Sequence, residues 1–171
     1  MKKSWFMLIL LCQFNSAWSL PWFTPPNQDL HPAKKVKSGM VNFSGSWVGE
    51  CNQQPATNMT IRQVDDKLLI SYGFMEEKYT LEEVKSTNTT RANSSIHGNT
   101  FVTLDNANRA LIFINADLFK NPTTNLNAFF SKVVMVLDND YLMVKGLYYH
   151  TQANTEDFQQ QLIACVYRRV A

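Results

Sequence analysis

Carboxylates come in adjacent pairs in this chain: Asp65-Asp66, Glu76-Glu77, Glu82-Glu83 and Glu156-Asp157. Two carboxyl groups held a few ångströms apart can cleave a glycosidic bond, one as acid and the other as nucleophile or base. Neighbours on a strand point to opposite faces, however, and neighbours in a turn are solvated. None of the pairs therefore reads as catalytic. His31, His97 and His150 are too scattered to share a metal ion, and each reads as a surface histidine. The chain has no Gly-x-Ser-x-Gly elbow, no phosphate-binding loop and no zinc motif. These residues predict no catalytic residue, no metal and no cofactor, and they favour a non-enzyme over an enzyme.

The cysteines carry more information, because the leader sets their compartment. Met1-Lys2-Lys3 is a basic start, and Trp5 to Cys12 is an apolar run too short to span a bilayer. Ala17-Trp18-Ser19 offers small residues where a signal peptidase cuts. The pattern predicts a signal peptide over residues 1–19, cleaved after Ser19, and a secreted or periplasmic protein of bacterial style. An uncleaved N-terminal anchor is the alternative. Leu10-Leu11 precede Cys12 where a lipidation signal has small residues, so lipidation is not expected. Processing leaves Cys51 and Cys165, and two cysteines in an exported chain predict a disulfide. The chain-entropy model gives a bridge over so long a loop about 4–5 kcal/mol as an upper guide.

The full chain carries 16 Lys and Arg against 14 Asp and Glu. Lys2 and Lys3 leave with the leader, so the mature chain balances. Such a chain has no global field to attract nucleic acid. No later segment is long and apolar enough to predict a membrane-spanning helix. Residues 20–42 hold Pro21, Pro25, Pro26 and Pro32 and the cluster Lys34-Lys35-Val36-Lys37. Proline at this density excludes a regular helix or central strand, so the segment reads as an extended arm. Residues 43–171 remain as one domain, long enough for one core.

Within that domain short apolar runs alternate with turn residues. Met59 and Ile61 share a face; Asp65-Asp66 follows; then Leu68, Ile70, Tyr72 and Phe74 alternate. Period two, a short turn and period two again is the mark of a hairpin. The pattern repeats through Glu77–Val84, Asn99–Asp105, Arg109–Ala116, Phe129–Leu137, Tyr141–His150 and Gln159–Arg169. Glycine is scarce, so the turns must use Asp and Asn. Asp117–Phe130 is the one place where a short helix or lid is expected. The polar run Lys85–Asn99 reads as a solvated loop or polar hairpin, and it holds the sequons at Asn88 and Asn93; Asn42 and Asn58 begin two more. The fold class predicted is all-β: a single antiparallel up-and-down β-barrel of about 8–10 strands preceded by the Pro-rich arm. The alternative is a β-sandwich.

The two ends of the domain support closure. In FSGSWVGEC (Phe43–Cys51), alternation puts Gly45, Trp47, Gly49 and Cys51 on one face. In IACVYRRV, Ile163, Cys165, Tyr167 and Arg169 share a face. If Cys51 faces Cys165 across an antiparallel pair, Trp47 falls opposite Arg169. A guanidinium over an indole is favourable by about 0.5–2 kcal/mol.

Gly45-x-Trp47 near the start of the domain, with Arg168 or Arg169 near its end, resembles the signature of the calycin barrels, which include lipocalins, fatty-acid-binding proteins and avidins. The resemblance covers these two ends of the domain. It implies a closed barrel in which Trp47 and Arg169 are structural. No tryptophan follows Trp47, so the resemblance does not imply a biotin site.

Three functional classes follow. The first is a binding protein for a small apolar ligand held inside the barrel, lined by some of Phe74, Tyr79, Phe101, Met135, Met143 and Tyr149. The second is a secreted module with a protein partner, an inhibitor or host-facing factor acting through surface loops or the arm. A hydrolase with an unrecognised site stands third.

Overall fold

The structure is a computed structural model, and it describes residues 39–91, 94–121, 124–151 and 158–170. The leader, His31, most of the arm, Asn93 and Glu156-Asp157 lie outside the described residues. Among the described residues every regular element is a strand: β1 (Gly45–Cys51), β2 (Gln54–Pro55), β3 (Met59–Val64), β4 (Lys67–Ser71), β5 (Glu76–Thr80), β6 (Val84–Arg91), β7 (Ser94–Asp105), β8 (Ala110–Asn121), β9 (Thr124–Asp138), β10 (Tyr141–Thr151) and β11 (Phe158–Val170). They form one antiparallel sheet in the order β5-β4-β3-β1-β11-β10-β9-β8-β7-β6, with β2 added to β1. One continuous antiparallel sheet nearly closed on itself is a barrel and not a two-sheet sandwich. The barrel is nearly closed: β5 and β6 end the path, and no backbone ladder joins them among the described residues.

Asp117–Phe130 differs from expectation. Its described residues are strand and not helix: β8 and β9 pair through them, from Asp117 opposite Phe129 to Asn121 opposite Thr124. In the polar run Lys85–Asn99 the described residues pair likewise, β6 with β7, from Val84 opposite Phe101 to Arg91 opposite Ser94. The scarcity of glycine shows in the turns. Asp65, Asn139 and Asn52 take positive φ, and so do Gln53, Glu82 and Arg109.

The floor of the barrel is apolar and filled. Phe43, Trp47, Ile61, Leu68, Ile70, Val102, Leu111 and Leu142 are essentially inaccessible to water. Burial of each large side chain contributes about 1.5–3 kcal/mol. Cys51 is bonded to Cys165 and stands opposite it in the β1–β11 ladder, and the same register sets Trp47 opposite Arg169. The Arg169 stem crosses Gly45, where a Cβ would meet its Nε at 3.2 Å, and Gly45 takes φ +153°. Trp47 Nε1 donates to the Phe43 carbonyl at 3.3 Å, which satisfies the indole in the core. Gln63 ties down the chain before β1: its side chain accepts from Phe43 N–H and donates to the Val41 carbonyl.

Candidate functional site

Strand pairing divides the barrel interior into rows. The lowest rows are the floor. Their top row is Val102, Phe113, Val133 and Gly146, paired across β7, β8, β9 and β10. The next row changes character: Lys85, Thr100, Asn115, Ser131 and Tyr148 stand side by side across β6 to β10. Strand alternation puts all five on the same face as the buried Leu111 and Phe113. Asn115 Nδ2 donates to Ser131 Oγ at 2.9 Å, and Ser131 is 4% exposed. Lys85 carries the row across the seam by an ion pair to Glu77 of β5. The same ammonium lies 4.8 Å from the centre of the Tyr79 ring, which in turn meets Phe113 edge to face.

Tyrosines stand in this polar row and beneath it. Gly146 lacks a side chain, and the Tyr148 ring occupies the space; a Cβ there would stand 2.5 Å from its Cε2. Gly49 does the same for Tyr167, whose Cδ1 would lie 2.9 Å from a Cβ. The Tyr167 hydroxyl is 3.8 Å from the Cys51 sulfur. Burial pushes Tyr72 up to about 12, and the neighbouring Tyr167, Tyr148 and Glu77 add to the effect. Burial raises Tyr79, Tyr148 and Tyr167 as well. Phenols shifted this way stay protonated at neutral pH. They can donate and accept hydrogen bonds, and they are poor nucleophiles and poor bases.

One row higher, Gly98, Asp117, Phe129 and His150 are paired across β7 to β10. The Asp117 carboxylate fills the space over Gly98, and burial raises its pKa. The Phe129 and Tyr148 rings are 5.9 Å apart, so this row touches the collar. A cleft of about 470 Å³ opens here, lined by Ile96, Phe119, Phe129 and His150 among others. Its size is in the range of small-ligand sites. Among the described residues no three His, Cys, Asp or Glu side chains converge as metal ligands would.

The six residues expected to line a ligand site do not come together. Tyr79 and Met135 are on the inner face, Met135 within the filled floor. Phe101 pairs with Val84 and Ile114, Met143 with Val136 and Val166, and Tyr149 with Phe130, all on the outer face. Phe74 sits in the turn after β4 and is 81% exposed. Tyr148, Tyr167, Asn115, Ser131 and Lys85 belong to no site motif in the sequence. The usable signal was Gly146 two places before Tyr148, which leaves room for the ring on the same face.

Comparison with family models and with curated proteins finds no match for this chain.

Proposed function

We propose that the chain is a secreted or periplasmic binding protein of calycin type, holding a small ligand in the upper half of its barrel. One observation carries this reading: a polar collar of Lys85, Thr100, Asn115, Ser131 and Tyr148 stands between a filled apolar floor and a partly apolar cleft. Asn115 and Ser131 bond each other and Lys85 pairs with Glu77, but a wholly apolar ligand would shut the collar's remaining hydrogen-bonding capacity away from water, at about 1–3 kcal/mol for each buried group left unsatisfied. The ligand that fits has an apolar body, against Ile96, Phe119 and Phe129, and a neutral group that both donates and accepts hydrogen bonds. That narrows the apolar ligand expected from sequence to an amphiphile.

The Cys51–Cys165 bridge supports an oxidising compartment. Gly45, Trp47 and Arg169 packed together at the junction of β1 and β11 support the calycin assignment. Calorimetric titration with a matched pair of probes, a long-chain alcohol amide and the alkane of equal length, tests the reading. The amide is expected to bind one to one and the alkane at least about tenfold more weakly. Equal binding, or none by either, argues against an interior site with a polar collar.

A further inference from the structure

The outer face of β8 to β11 is not built like a surface turned to water. Strand alternation sets one outward row at Val136, Met143 and Val166, paired across β9, β10 and β11. The row above it is Ile112, Val134, Lys145 and Ala164. Above that stand Ile114, Lys132, Leu147 and Leu162. Leu162 is 64% exposed, and Val166, Ile114 and Met143 are exposed as well. A half-solvated antiparallel sheet turns polar residues outward, and a contiguous apolar field in their place marks a surface that meets something. The charges inside the field have one sign. Lys132 and Lys145 are exposed, and among the described residues neither forms an ion pair; the pairs there use Lys67, Lys78 and Lys85. Among the described outward residues of β8 to β11 the one carboxylate is Asp138, at the lower end of β9, and Glu50 of β1 borders the field beside Val166.

We infer that this face rests on an anionic lipid surface, with the barrel lying on the membrane and not crossing it. The apolar side chains of the field enter the boundary between headgroups and acyl chains. The stems of Lys132 and Lys145 lie along that apolar surface while their ammonium groups reach anionic headgroups. A spanning barrel needs an apolar band on every side. The outward positions of β3 to β5 include the exposed Arg62, Lys67 and Lys78, which break such a band. A second copy docked face to face would set Lys132 and Lys145 against the same two cations, with no carboxylate inside the field to answer them.

Co-sedimentation of the exported protein with vesicles of two compositions tests the inference: phosphatidylcholine alone, and phosphatidylcholine mixed with phosphatidylglycerol. The protein is expected to bind the mixed vesicles, with an affinity that falls as salt rises, and to bind the neutral ones at least about tenfold more weakly. Lys132→Gln with Lys145→Gln should weaken binding to the mixed vesicles at least about tenfold. Ile114→Ser with Leu162→Ser should weaken it by a similar factor, through lost apolar area. Arg62→Gln with Lys78→Gln removes two cations outside the field and should leave binding unchanged. Every substituted side chain is exposed, so the fold should survive, and thermal melts check that it does. Equal binding to both vesicles, binding to neither, no effect of the lysine variant or of the apolar one, or an equal loss in the Arg62 and Lys78 variant overturns the inference. So does a dimer in sedimentation that Leu162→Ser dissolves.

Discussion

The guanidinium carbon of Arg169 lies 4.8 Å from the centre of the Trp47 ring, at the place where the last strand meets the first. Its Nε is buried with no hydrogen-bond partner among the described residues. The indole face is therefore a principal partner of this half-buried cation. Trp47→Ala is expected to lower stability by about 3–5 kcal/mol in denaturant melts, the range for large aromatic truncations in cores. Arg169→Met keeps the stem over Gly45 and should lose only about 0.5–2 kcal/mol. A Trp47→Ala protein that melts with its parent would remove the floor from this account.

The Cys51–Cys165 bridge spans 114 residues of sequence. Reduction should lower the urea midpoint by an amount equivalent to at most about 4–5 kcal/mol. Non-reducing peptide mapping should find one linked pair, and two alkylatable thiols in the exported protein would contradict it.

Strand alternation made the fold legible. The apolar periods of Met59-x-Ile61 and Leu68-x-Ile70 marked strands, and Cys51 with Cys165 set the register that puts Trp47 opposite Arg169. The site was less legible, for a physical reason. In late strands both faces are apolar, so Met143 and Leu142 look alike until pairing shows that Leu142 points inward, fully buried. Phe74 fails differently: alternation continued past Ser71 on paper, but β4 ends there. The polar row is invisible in any one strand. Thr100, Asn115, Ser131 and Tyr148 are far apart in sequence, and only the register aligns them.

Alkali should unfold the protein through its buried phenols. Burial raises Tyr72 from 10.0 to about 12, so the native state holds that proton longer than the unfolded chain does. The resulting stability is present below pH 10 and is lost as pH rises toward 12. Ellipticity against pH should show the loss in that window, with phenolate absorbance rising alongside it. Tyr72→Phe should shift the transition to higher pH, and an unmoved midpoint would show that Tyr72 does not control it.

Gly146 is expected to tolerate no side chain while Tyr148 covers it. Gly146→Val should cost about 1–3 kcal/mol through overpacking. Tyr148→Ala in the same protein should recover part of that loss, since the two changes share one space. Strictly additive losses in thermal melts would mean the ring does not rest there.

The collar, and not the floor, is expected to select the ligand. The most direct measurement is calorimetric titration of the long-chain amide probe into the native protein and into Asn115→Leu with Ser131→Leu. These side chains hydrogen-bond each other, so replacing both leaves neither partner orphaned. The native protein is expected to bind the amide one to one and the variant about tenfold or more weakly, with the matched alkane gaining affinity. Amide binding unchanged in a variant that retains its fold would contradict it.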